Sequence, residues 1–361
     1  MNTKVQFPFP YFGNKSRCAP VVWGLLGDLK AYTEPFCGSM ANLLLRPPSE
    51  NNQPTETVND LSGLLVNAWR AIQLKPGATA AHCILPVSEI DLEARHNHLV
   101  QLDPEDMRNR LGDPEYCDPK LAAWYIWGSC SWIGGGWCSG EGPWKWTPAE
   151  GWFKQEGTGV NRVLPHTGTG GQGVNRKLPH TGDGGQGVNR MLPHTSTGGQ
   201  GVNRMLPRTG DEGEGQYQDR VKWVTGWFQG LSDRLCHTRI TCGDWRRVMG
   251  NTVRHAARGN PHGVFLDPPY DGTEYVYGKS TAPVSQQVRE WCVEHTDDPG
   301  IRIVLAGRGD EHDALMDLGW RRVVWTGIKG YSNKKDHEQE VLWSSPGCLE
   351  LPTQEEPEVT Q

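Results

Sequence analysis

Asp267-Pro268-Pro269-Tyr270 places a carboxylate, two conformationally locked residues and a phenol ring in four consecutive positions. Two successive prolines fix φ at about −65° and push the preceding residue toward extended backbone. The run Gly263-Val-Phe-Leu266 just before them reads as a short strand. Asp267 therefore stands at the C-terminal end of a strand, where open α/β sheets bind ligands. Such a corner suits a flat base carrying an exocyclic amine. The Asp267 carboxylate and the Pro268 carbonyl each accept one amine N–H, and Tyr270 stacks on the ring. A plain strand-to-loop turn is the alternative reading of the same four residues.

Three further stretches carry chemistry of their own. In Glu34-Pro-Phe-Cys-Gly-Ser-Met-Ala41, Gly38 permits close backbone approach to a ligand at a strand-to-helix turn. Asp60 ends a second apolar run and is placed either to accept hydrogen bonds from ribose hydroxyls or to cap the next helix. Asp244 follows a third run and could accept from the amine of a cofactor's adenine, with Trp245 or Cys242 against the ring. Neither a G-x-G-x-x-G fingerprint nor a P-loop is present.

In this order the motifs resemble the alpha group of DNA adenine-N6 methyltransferases, the family of the DNA adenine methylases. Asp267 to Tyr270 matches its DPPY motif, and Glu34 to Ala41 its E-P-F-x-G-x-G motif. Pro10-Tyr11-Phe12-Gly13-Asn14-Lys15 matches its N-terminal motif, and Asn59-Asp60 and Gly243-Asp244-Trp245 match its strand-end acids. One departure is Ser39-Met40, where the family usually has a second small residue or glycine. The resemblance implies S-adenosylmethionine as cofactor, held by Tyr11, Gly13, Lys15, Glu34, Phe36, Gly38, Asp60, Asp244 and Asp267. Lys15 would face the cofactor's carboxylate. It implies methyl transfer to adenine N6 in double-stranded DNA, with Asp267, Pro268, Pro269 and Tyr270 as the catalytic set. A base in a duplex cannot reach such a corner, so it must be flipped out; the loop from Asp271 to Lys279, with Tyr275 and Tyr277, would close over it. No metal or covalent enzyme intermediate is required. Methylation of an amine in RNA or another base, and a catalytically silent DNA-binding protein, are the competing readings. A corner lying away from any cleft, or an Asp267 carboxylate held in an internal ion pair, would overturn the enzymatic one.

The elements that must position these residues follow from hydrophobic patterning. Seven short apolar runs read as strands: Ala31–Phe36, Glu56–Asp60, Arg239–Asp244, Gly263–Asp267, Ile301–Ala306, Arg321–Thr326 and Glu340–Trp343. Helical spacing appears over Leu61–Gln73, Asp219–Leu235 and Ser285–His295. The alternation predicts a mostly parallel, Rossmann-like methyltransferase sheet with both faces covered. The last two runs lack a helix-length connection and should pair antiparallel. Residues 1–75 and 217–348 form the predicted catalytic domain, 76–216 an inserted target-recognition region, and 349–361 an acidic disordered tail.

The insertion holds a Trp-rich stretch, expected to form a small aromatic core, and four 14-residue repeats over 159–210. Gly159-Val-Asn-Arg-Val-Leu-Pro-His166 recurs from Gly173, Gly187 and Gly201. Six positive side chains stand there against one acid, Asp183, in a chain of net charge −6. Arg162, Arg176, Arg190 and Arg204 recur at equivalent positions and are the predicted DNA contacts; a flexible low-complexity tether is the alternative. The overall acidity excludes a generic polyanion binder, so any nucleic-acid surface is local. No run of about 18 apolar residues could span a bilayer. With no basic-apolar leader, the ten cysteines are expected to be reduced thiols in a cytoplasmic protein, mostly buried. They show no zinc spacing. A monomer is expected. The resemblance, with no endonuclease segment apparent, implies a solitary methylase from a phage or mobile element.

Overall fold

The structure is a computed structural model of the 361-residue chain. It describes residues 7–11, 13–49, 54–85, 88–132, 137–138, 144–147, 151–154, 214–250, 260–269, 284–324 and 340–351. Tyr270, the loop 271–283, the repeats 159–210 with their four arginines, and most of the tail lie outside these residues.

All seven expected strands form, in one sheet. They are β1 (Ala31–Glu34), β2 (Thr55–Asp60), β5 (Thr238–Cys242), β6 (His262–Leu266), β7 (Ile301–Arg308), β8 (Arg321–Val324) and β9 (Glu340–Ser344). A separate antiparallel hairpin joins β3 (Trp144–Thr147) to β4 (Gly151–Lys154). The seven strands lie in the order β5-β2-β1-β6-β7-β9-β8. β5, β2, β1, β6 and β7 are parallel, and β9 runs antiparallel to both β7 and β8. β1 is shorter than its apolar run because Pro35 has no N–H for the ladder.

The sheet is buried on both faces, as a covered α/β sheet must be. Along β7, Ile301, Ile303 and Leu305 pack on one side with Val264, Leu266 and Trp343. Val304 and Ala306 point to the other side, with Phe265 and Leu342. That alternation is the period-two signature of a strand. Helix α1 (Ala19–Leu26), the short α2 (Ala41–Leu44) and α3 (Gly63–Leu74) build the first half of the fold. Between α3 and the hairpin come α4 (Pro76–Cys83), α5 (Glu89–Gln101), α6 (Pro104–Arg110) and α7 (Pro119–Ser131). Helices α8 (Glu214–Leu235) and α9 (Val284–Glu294) complete it. α8 begins five residues before its apolar periodicity, in a polar stretch that offers no pattern to read.

Helices α4 and α7 bury Ala80, Cys83, Ala122, Ala123 and Ile126 in the same core as α3 and α8. Asn67 and the backbone of Asp118 exchange two hydrogen bonds, 2.9 and 2.8 Å, and lock α7 onto α3. The described part of the Trp-rich stretch, Trp124 to Trp137, packs with neighbouring rings. The His96 ring stacks on Trp132 at 4.9 Å and meets Trp137 at 5.3 Å. Arg95 lies over Trp127 at 4.5 Å. All ten thiols are free; eight are buried, Cys138 is half-buried and Cys236 is exposed. No helix among the described residues is long and apolar enough to cross a membrane.

Candidate functional site

Chain order reverses between β1 and β6: from β1 the chain steps to β2 and β5 on one side, and from β6 to β7 on the other. The crevice outside the C-terminal ends of these two strands is the topological switch point, the usual ligand site of open α/β sheets. Glu34 to Gly38 leave β1 there, and Asp267 to Pro269 leave β6.

Three loops are bound together at this edge. Asn59 Nδ2 donates to the carbonyls of Pro35 (3.1 Å) and Gly243 (2.9 Å), tying the loops after β1 and β5 to the end of β2. Cys37 N donates to Asn59 O at 2.9 Å. Gly38 takes a left-handed φ of 45°, and Tyr11 lies so close that a Cβ on Gly38 would come within 2.6 Å of its ring. Gly38 is thus required by the N-terminal segment folding back over the β1 turn. Trp69 Nε1 fastens the Gly38 carbonyl from α3 at 2.9 Å.

Asp60 accepts from Gly38 N (3.1 Å, Oδ2) and Ser62 N (2.9 Å, Oδ1). Burial pushes its pKa up, against the backbone donors that favour the charged form. Its observed work is to bind the β1 turn to the start of α3, close to the capping alternative. Asp244 is half-exposed and grips Arg246 through both oxygens, 3.0 Å each, while accepting Arg246 N at 2.9 Å. Those bonds from Arg246 hold its carboxyl below the usual range. Trp245 is buried behind Phe36, ring centroids 6.0 Å apart, and its Nε1 has no partner among the described residues.

Glu34 is 2% exposed. Burial drives its pKa well above the carboxylate range, Tyr32 Oη opposes this by donating to it at 3.2 Å, and nearby Asp267 pushes the same way as burial. Burial so placed favours the neutral form of the carboxyl over the charged one. Pro268 is buried and Pro269 half-buried.

Lys15 differs from expectation. Its Nζ lies 3.0 Å from Asp267 Oδ2, with side-chain exposures of 6% and 18%, and donates to Gly13 O at 3.1 Å. Gly13, at φ 77°, turns that carbonyl toward it. Burial opposes the charge on Lys15, yet Asp267, and after it Glu340, hold the ammonium above its usual range. A lysine this deep needs a carboxylate in contact, and Asp267 is that carboxylate. Lys15 was expected to face a cofactor carboxylate and Asp267 to be unengaged. The ion pair is the condition set above for overturning the enzymatic reading, which therefore stands only as a proposal in which Asp267 releases Lys15 to bind an amine.

The sequence motifs thus converge: Tyr11, Gly13, Lys15, Glu34, Phe36, Gly38, Asp60, Asp244 and Asp267 all stand at the same sheet edge or on the segment folded over it. Asn59 and Glu340 were read only as strand residues, not as parts of this edge. A buried Asn at a strand end is one signal for the first; the second needed the direction of β9. No protein-family model and no curated protein matches the chain.

Proposed function

We propose that the chain is an S-adenosylmethionine-dependent methyltransferase acting on adenine N6 in DNA. One observation carries this: the Gly38 turn and the Asp267-Pro268-Pro269 corner stand together at the switch point, with Lys15 drawn in from the N-terminal segment. The strand order supports it. A doubly wound sheet carries its last strand, β9, antiparallel between β7 and β8, the plan expected of the resembled family.

The residues present fit the cofactor in part. Phe36 and Trp245, their rings tilted by 33°, offer aromatic surface, and Trp245 Nε1 is a buried donor without a partner among the described residues. Lys15 does not fit the role of binding the cofactor's carboxylate, since it is committed to Asp267. When bound, S-adenosylmethionine would supply a sulfonium methyl for transfer to the amine nitrogen, with its C–S bond broken as the N–C bond forms and one amine proton lost to solvent. Asp267 and the Pro268 carbonyl accept the amine's N–H groups, which favours a tetrahedral nitrogen with an available lone pair. Tyr270 replaces the stacking lost on base flipping. Positioning supplies much of the acceleration. Asp267 must exchange at least part of its bond to Lys15 for the amine.

The same ion pair favours a second reading, a DNA-binding protein without catalysis, in which Lys15–Asp267 is a structural pair. Transfer of tritiated methyl from S-adenosylmethionine to duplex DNA, with Asp267→Ala as control, decides between them. Label that disappears in the variant supports the enzyme. Label in RNA alone moves the substrate class. Intact DNA binding with no label establishes the second reading.

A further inference from the structure

The Asn59 side chain is 1% exposed, and both its polar atoms are engaged. Nδ2 spends its two N–H groups on Pro35 O and Gly243 O, while Oδ1 accepts from Thr241 Oγ1 at 3.0 Å. The hydroxyl thereby fixes which way the amide faces. The backbone beside it repeats the pattern. Asn59 O accepts from Cys37 N at 2.9 Å, and Asp60 O accepts from Gly243 N at 3.0 Å. The turns after β1 and β5 are thus fastened to the end of β2, with one side chain bonded to both. An aspartate of the same shape would set a carboxylate against two carbonyl oxygens, and a leucine would leave both carbonyls without this donor.

The two carbonyls that share the amide lead directly into the aromatic surface of the crevice. Pro35 is followed by Phe36, and Gly243 by Asp244 and Trp245. The Phe36 and Trp245 ring centroids stand 6.0 Å apart. On the β5 side, Arg247 also holds Cys242 O at 2.6 Å, so that turn moves as a unit. The distance between the two turns therefore decides how these rings meet a ligand.

We propose that Asn59 is a positioning residue for the adenine end of the cofactor. It acts through the two turns, whose separation sets the Phe36 and Trp245 surface against which the base rests. The inference rests on the methyltransferase reading for the identity of the ligand, but not for the coupling of the turns. Adenine is far from the transferred methyl and unchanged by the reaction. Contacts to it bind substrate and transition state equally, so they set KM and leave kcat alone.

The first test needs no ligand. Amide hydrogen exchange is read by mass spectrometry in the full chain, in Asn59→Asp and in Thr241→Val, with circular dichroism and thermal midpoints as checks of folding. Thr241→Val keeps the side chain's shape and removes only the hydroxyl, which bonds Asn59 Oδ1 and Val58 O. In Asn59→Asp, segments 35–40 and 243–248 should exchange faster together, by at least about tenfold, while 301–308 in β7 stays within about twofold. Thr241→Val should move the same two segments by a smaller factor, and it decides alone if Asn59→Asp does not fold. Acceleration in one turn only, in neither, or equally in β7 overturns the proposal.

The second test measures binding of S-adenosylhomocysteine and of 5′-methylthioadenosine, which lacks the amino-acid end. Both should weaken by the same factor, about tenfold in Asn59→Asp and about threefold in Thr241→Val, with kcat at saturating S-adenosylmethionine within about twofold of the parent. Unchanged affinities, a loss confined to S-adenosylhomocysteine, or a fall in kcat at constant KM overturns the proposal. A parent that binds neither nucleoside refutes the methyltransferase reading, while the exchange result still judges the coupling of the turns by itself.

Discussion

Met40 occupies a left-handed backbone position, φ 52°, just ahead of α2, and its side chain is fully buried. An L-residue there carries about 1–2 kcal/mol of strain, which glycine escapes. It is the place where the resembled family usually has a small residue or glycine. The strain is tolerated because the side chain packs in the main core with Leu43 and Trp69. Met40→Ala removes that packing and keeps the strain; Met40→Gly removes both. Urea denaturation should therefore find Met40→Gly more stable than Met40→Ala by about 1 kcal/mol, reversing the ordinary order of the two residues. A more stable Ala variant would contradict the left-handed assignment. Glu34 gives a pH-dependent case. Its folded pKa is raised by burial above the unfolded value, so its contribution is complete below about pH 4.3 and is lost as pH rises toward the folded pKa. Glu34→Gln has no such loss and can still accept from Tyr32. The variant should gain on the parent as pH rises from 4 to 8, by up to about 1.4 kcal/mol per unit in that window. Parallel stability curves would show that Glu34 ionises freely.

At the scale of elements, the joint between α8 and the sheet is polar. Glu56 on β2 accepts from Arg234 of α8 at 2.7 and 3.0 Å, from Arg46 at 3.2 Å and from Thr238 of β5 at 3.1 Å. Arg234 also donates to Leu43 O at 2.8 Å, and Arg46 to Leu29 O. The Glu56 carboxylate is 5% exposed, and Arg46 lies over the Trp23 ring. This network pins the C-terminal end of α8 where the chain re-enters the sheet through β5. Removing the acid leaves two guanidinium groups without their shared partner, so Glu56→Ala should cost about 3–5 kcal/mol, read as a fall in the urea midpoint. A loss under about 1 kcal/mol would mean that Arg234 and Arg46 re-solvate without cost. Nothing in the spacing of these residues announces the network. Arg46 follows α2, Glu56 alternates along a strand, and Arg234 ends a helix; each reads singly as a surface charge. Asn59 is similar: its place at a strand end was legible, but the two carbonyls it joins belong to loops distant in the chain.

For the whole molecule, the open question is how a chain of net charge −6 would meet DNA. Positive charge recurs in the repeats, with Arg162, Arg176, Arg190 and Arg204 at one position of each unit. If all four arginines neutralise phosphates, deleting residues 159–210 should flatten the dependence of log affinity on log salt by about 3–4 units. A tether leaves that slope unchanged. The seven strands, their direction up to β7 and the antiparallel pairing of the last two were determined by the sequence alone. Apolar periodicity and connection length are local properties, and a chain carries them wherever it goes. The Gly38 turn and the proline corner were likewise written locally, in residues that restrict their own backbone. Only the tertiary structure decided that Lys15 pairs with Asp267, that Asp60 and Asp244 bind neighbouring backbone and Arg246, and that β9 carries Glu340 to the same sheet edge. Charges choose partners by distance and burial, and both are set by which strands lie side by side.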